Sequence, residues 1–324
     1  MMKFCCLVVL FFALVIHGFA QQPTEEKTNR DPAKAHLVTS DIDNFWRAYD
    51  LAAKATSPEK KKEIFQHEYF DKGSLGLQDF IKLRIQNTDS LLTVIDKRPL
   101  YYASIRKETM KVSAMSGKIH QSFRKLKKLY PDAVFPDVYF TIGKLSSGGT
   151  TSKNGLLIGT EMFGRTKDTP TAELSGWLKE VLKPIDTLPA IVAHEVIHFQ
   201  QDTADSSTLL ARSINEGAAD FIGEMIAGQM INPHLHIYGN PRERELWEEF
   251  QREMPGAVYA KWLYNGSLAK DRPADLGYYM GYKICEAYYK NARDKQHAIK
   301  DILTIKDYDK FLQDSKYAEK FVKK

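Results

Sequence analysis

The chain has 324 residues, enough for one large domain or two small ones. Its net charge of +5, from 46 basic and 41 acidic residues, is too mild to argue for nucleic acid. Of three cysteines, Cys5 and Cys6 sit at the extreme N-terminus, so Cys285 alone is left beyond that segment and no internal disulfide is expected.

Residues 1–20 combine Lys3, an apolar run Phe4–Ile16 and a small-residue end, His17-Gly18-Phe19-Ala20, before Gln21-Gln22. This pattern reads as a cleaved secretory signal. The apolar run is too short for an ordinary membrane span, so membrane contact is expected only if the segment stays attached. Residues 21–36 are polar, carry Pro23 and Pro32, lack an apolar period and read as a disordered leader. Residues 37–324 are expected to form a single domain. It opens with a helical layer over 37–130: Ile42, Phe45, Trp46 and Tyr49 have helical spacing, with Ser40 or Asp41 as cap, and Ser57-Pro58 opens the next helix. Ile119, Phe123, Leu126 and Tyr130 continue the period, and the interleaved Arg124-Lys125 and Lys127-Lys128 read as its solvated face.

Val138–Leu145 and Leu156–Thr160 are rich in β-branched and aromatic residues and read as strands of a hairpin within 135–165. The linker Ser146–Gly155 leads into a strand, not a helix, and so is no phosphate loop but a flexible turn. Thr169-Pro170 marks the next helix start. Residues 186–228 hold two helices joined by a turn at Thr203–Thr208. The part from 229 to 324 reads as irregular through Asn240-Pro241, then as a charged helix Glu243–Glu253, an aromatic helix Pro273–Tyr289, and a Lys-rich end, Asp307–Lys324, made of a helix and a solvated tail.

The chemistry concentrates at 186–228. Asp186 or Thr187 with Pro189 starts a helix bearing His194-Glu195-Val196-Ile197-His198. Residues four apart stand one above the other on a helix, so both imidazoles face one point, and Glu195 lies about 100° around, within reach of a water there. Ile191, Val192, Val196, Ile197 and Phe199 make the helix apolar, and buried imidazoles and a carboxylate need a partner. In Asn215-Glu216-Gly217-Ala218-Ala219-Asp220, with Glu216 eighteen residues after His198, the spacing is repeated with two carboxylates. A catalytic zinc takes three protein ligands and keeps one position open, and His194, His198 and Glu216 supply such a set for one Zn²⁺. Asp220 is then free to orient a ligating imidazole through its spare N–H.

This pair of motifs resembles the signature of the gluzincin metallopeptidases, the thermolysin-like clan. Within that clan the chain most resembles bacterial predicted zinc-dependent proteases related to gliding-motility lipoproteins. The thermolysin-type likeness covers roughly 189–228. The looser likeness spans most of the chain through the helix at 41–50, the strand–loop–strand at 138–160 and Leu276-Gly-Tyr-Tyr-Met-Gly-Tyr-Lys-Ile284. The resemblance implies an α+β, mostly helical zincin-like domain with a small antiparallel sheet. It implies that one of the two strands, Val138–Leu145 or Leu156–Thr160, is an edge strand that binds an extended peptide or protein substrate, with Glu195 as general base and a Tyr or His donor for the oxyanion. Tyr278 is the first choice for that donor, with Tyr282, Tyr279, His234 and His236 as the others. Gly277 and Gly281 would let their helix approach another closely. Cys5 and Cys6 lie too early for a lipid-attachment cysteine, so a free periplasmic or extracellular chain is expected. A non-peptidase zinc hydrolase, or a non-catalytic envelope or gliding-related binding protein that retains the zinc site, is the alternative.

Overall fold

A computed structural model describes residues 29–266 and 268–322. The expected signal segment, residues 21–28 of the leader and the last two residues of the Lys-rich end lie outside the described residues.

Local capping sets the first helices. Helix α1 (Ser40–Ala52) starts after Thr39, without a side-chain cap. Asp41, expected as a cap, is buried and accepts from the backbone N and Oγ of Ser74, at 2.9 and 2.5 Å. It therefore ties α1 to the start of α3 (Leu75–Phe80), whose N-cap is Ser74. Helix α2 (Pro58–Phe65) has Ser57 as cap and proline in its first turn, where a missing N–H costs nothing. Helices α4 (Thr88–Lys97), α5 (Pro99–Thr109) and α6 (Ser116–Leu129) complete the N-terminal layer, with Phe123 and Leu126 buried and Arg124 and Lys128 exposed. An edge-to-face cluster of Phe45 with Trp46, Phe65 and Tyr69 fills its centre.

The sheet corrects the expected antiparallel hairpin. Strands β1 (Leu37–Val38), β2 (Val138–Thr141), β3 (Gly149–Ser152) and β4 (Gly155–Gly159) run in the order β1-β2-β4-β3. β1–β2 and β2–β4 are parallel, and only β3–β4 is antiparallel, so the sheet is mixed, and neither expected strand lies at its edge: β2 and β4 are interior, flanked by β1 and β3. The Gly-Thr-Thr-Ser run, taken as a flexible linker, is itself β3: its threonines suit a strand, and Lys153-Asn154 makes the tight turn to Gly155. β2 and β4 are buried throughout, which suits parallel strands covered on both sides. The helical layer pins the segment between β2 and β3. Tyr69 and Tyr102 donate to the carbonyls of Ile142 and Gly143, and Glu161 accepts from the N–H groups of Gly143 and Leu145.

The rest of the chain is helical: α7 (Gly176–Val181), α8 (Leu188–Gln200), α9 (Leu209–Ala227), α10 (Pro233–Gly239), α11 (Glu243–Glu253), α12 (Leu276–Asn291), α13 (Lys295–Leu303) and α14 (Tyr308–Ser315). The helix expected at Thr169-Pro170 starts instead after Ser175, whose side chain caps Leu178 N–H, while Thr169 Oγ1 closes a turn on Thr166 N–H. The stretch after Gly228, expected to be irregular, contains α10. Two further expectations of disorder or solvation do not match. Residues 29–36 exchange hydrogen bonds with Phe135 and His120, and Tyr317 and Phe321 of the Lys-rich end pack on Trp247. One contiguous apolar core runs from Ala35 to Tyr317, with Cys285 buried in it as a small hydrophobe. The protein is mostly helical with a small mixed sheet, an α+β architecture.

Candidate metal centre

Helix α8 enters at Thr187 with Pro189 in its first turn, and Val192, Val196 and Ile197 are fully buried. It brings His194, Glu195 and His198 to the junction with α9. Thr208 caps α9 through Ala211 N–H, and Gly228 in the left-handed conformation ends it, so the helix carries both Glu216 and Asp220. Two glycines set the crossing distances. A Cβ on Gly223 would lie 3.3 Å from the Cα of His194, so α9 passes directly under the metal helix. A Cβ on Gly217 would overlap the backbone of Gly281 and Tyr282 on α12.

The three predicted ligands converge. His198 Nε2 lies 3.2 Å and His194 Nε2 3.7 Å from Glu216 Oε2, and the ligand atoms are all within 4.8 Å of one another. Asp220 Oδ1 is 2.8 Å from His194 Nδ1, at ion-pair distance but not aligned as a hydrogen bond, and neither atom has another hydrogen-bond partner among the described residues. His198 Nδ1 faces Gln201 Oε1 at 2.8 Å, and Gln201 Nε2 donates to the Asn215 carbonyl, which fixes the amide's orientation. When the rings are neutral, an acceptor oxygen beside each Nδ1 favours the proton there and leaves the Nε2 lone pair for an ion. Those two nitrogens are 3.0 Å apart and face the same carboxylate oxygen. Three acceptors meeting at one largely buried point repel one another unless protons or a cation sit among them. The residues therefore fit a Zn²⁺ site of the His₂Glu type.

The electrostatics agree. Burial draws His194 toward neutrality, but Asp220 and Glu216 outweigh it and push the imidazole up to about 10. Burial and Glu216 oppose each other at His198 in the same way, and the carboxylate prevails. Burial would raise Glu216, yet the two imidazoles hold it well below the usual carboxylate range. The cluster calls for positive charge at its centre.

Glu195 projects into the adjacent cleft, half-buried, and burial raises its carboxyl. Among the described residues its carboxylate has no hydrogen bond or ion pair. A Cβ on Gly149 of β3 would overlap Glu195 Oε1, so the glycine makes room for this side chain beside the free edge of the sheet. The cleft has a volume of about 780 Å³ and runs between β3, α8 and the loop before α12.

The candidate oxyanion donors separate by position. Tyr278 lines the cleft and stacks on His194, with ring centroids 6.3 Å apart. His234 also lines the cleft. Tyr282 donates to Glu224, Tyr279 donates to Asn240, and His236 packs edge-on against both tyrosines, which directs these three away from the His194–His198–Glu216 cluster. A donor absent from the sequence reading is Tyr264. Its hydroxyl donates to Glu216 Oε1 at 2.5 Å, although the residue is 56% exposed. Tyr264 has φ of 57°, an unusual conformation for a tyrosine, held by its N–H on Asp275 Oδ1 at 2.6 Å. No apolar period or motif marks this loop. Gln201 was likewise missed as the partner of His198, although its place three residues on puts it within reach on the same face.

Among the described residues, no helix is long and apolar enough to cross a membrane. No curated protein and no solved structure matches the chain. The sequence profile of one family, described as gliding motility protein GldB, matches residues 25–254 and 260–319, which takes in both motif helices, the whole sheet and α12. The chain belongs to the gliding motility protein GldB family.

Proposed function

We propose that this protein is an exported zinc-dependent hydrolase of gluzincin type that cleaves peptide bonds in the periplasm or outside the cell. The observation that carries the reading is the convergence of the His194 and His198 Nε2 atoms on Glu216 Oε2, with a carboxylate or amide oxygen 2.8 Å from each Nδ1. His194, His198 and Glu216 hold the ion. Bound zinc supplies a Lewis acid that polarises a carbonyl and lowers the pKa of water from 15.7 to about 7.

The chain's own groups do the rest. Glu195 takes a proton from the attacking water on a carboxylate oxygen and delivers it to the departing amine nitrogen, as the water oxygen bonds to carbon and the C–N bond breaks. Tyr278, or Tyr264 once its hydroxyl leaves Glu216 Oε1, donates its hydroxyl proton in a hydrogen bond to the substrate oxygen that gains charge. The edge of β3, next to Glu195, offers backbone N–H and C=O groups to an extended peptide.

Family membership favours a second reading, a non-catalytic cell-envelope protein of the gliding machinery that keeps the zinc site. Holding an ion requires His194, His198, Glu216 and Asp220, but gives no use to a half-buried carboxylate at 195 that has no hydrogen bond or ion pair among the described residues. Incubating the purified chain with casein, short peptides and ester substrates separates these readings. The proposal expects peptide cleavage that a chelator abolishes and added zinc restores. Ester turnover alone would point to a non-peptidase hydrolase. Tightly held zinc with no hydrolysis of any substrate would establish the second reading.

A further inference from the structure

Asn232 begins α10, with Pro233 following. Asparagine is among the best N-cap residues, and a side-chain cap contributes about 1 kcal/mol. Yet Asn232 makes no side-chain cap bond. Its Nδ2 instead donates to Asp220 Oδ2 at 3.0 Å, while its Oδ1 lies 3.5 Å from Lys183 Nζ. The lysine is anchored in turn by donating to the Ile231 carbonyl at 2.7 Å. Asp220 is 6% exposed, and its other oxygen, Oδ1, is the one against His194.

The geometry points to Asn232, held by Lys183, as a positioning residue for His194 that acts through Asp220. A carboxylate anchored at one oxygen only can rotate about its Cβ–Cγ bond. Anchoring Oδ2 holds Oδ1 2.8 Å from the imidazole Nδ1, and the charge there limits how the ring can turn and keeps Nε2 toward the cluster. Lys183 orients the amide so that its NH₂ rather than its oxygen meets the carboxylate. Asn232 and Lys183 also line the cleft, so the chain of contacts runs from the cleft wall to a metal ligand.

This inference rests on the zinc reading, and its test uses zinc affinity, measured by competition between the full chain and a chromophoric chelator. Asn232→Ser and Asn232→Asp both keep a strong cap residue at the start of α10 but lose the donor to Asp220. Both variants should weaken zinc binding by about 3- to 10-fold, a part of the 10- to 100-fold loss expected for Asp220→Asn itself. In the Asp220→Asn background, Asn232→Ser should cost nothing further. Melting of the metal-free chain reports folding separately. Wild-type affinity in both variants would overturn the inference and leave the zinc reading intact, as would an equal loss in the Asp220→Asn background. A wild-type chain that takes up no zinc would overturn both.

Discussion

Glu195→Gln is expected to retain about one zinc per chain while peptide hydrolysis falls by roughly 10²- to 10⁴-fold, the range contributed by a positioned general base. The glutamine is isosteric, so Gly149 still accommodates it, and Glu195 touches none of the three ligand atoms. Metal retention and turnover therefore separate cleanly. Parallel assays of zinc content and of cleavage rate on the same preparation check this. Undiminished turnover would remove Glu195 from the mechanism. Loss of zinc along with turnover would make it a structural part of the site.

The largest expected effect on stability comes from Gly281→Ala. A Cβ there would overlap the Ser213 carbonyl oxygen on α9, a backbone atom that cannot rotate away. Helices α9 and α12 would have to separate, and overpacking of this kind costs 1–3 kcal/mol or more, here at least about 3 kcal/mol. The damage should extend to metal binding, because Glu216 lies less than one turn beyond Ser213 on the same helix, and Tyr278 lies on α12. Gly117→Ala is the control: nothing stands within 4 Å of its Cβ, and alanine is the better helix former, so that variant should be neutral or slightly more stable. Urea midpoints for the two variants read the difference. A Gly281→Ala chain as stable as the Gly117→Ala chain would mean that the two helices do not meet as closely as described.

The grouping of His194, His198, Glu216 and Asp220 was legible in the sequence because a helix repeats every 3.6 residues. Imidazoles at 194 and 198, or carboxylates at 216 and 220, share a side whatever the rest of the chain does. Gly281 could also be read in this way, as a small residue on an aromatic helix. Strand pairing could not. β2 and β4 are apolar on both faces, so neither alternation nor composition reveals that they run parallel, and the threonines of β3 read equally well as linker. Tyr264 and Asn232 sit in connections whose course is set by distant partners, Asp275 for one and Lys183 with Asp220 for the other. Polar composition also misled at residues 29–36, where backbone and amide hydrogen bonds to Phe135 do the anchoring that apolar side chains do elsewhere.

The most direct test of the central claim is X-ray absorption at the zinc edge on the zinc-loaded chain, repeated with Glu216→Ala. The account predicts one ion with two imidazole nitrogens at about 2.0–2.1 Å and protein carboxylate oxygen at about 2.0–2.2 Å. In Glu216→Ala the carboxylate contribution should disappear and affinity should collapse. No stoichiometric zinc, or a coordination shell unchanged by removing Glu216, would contradict it.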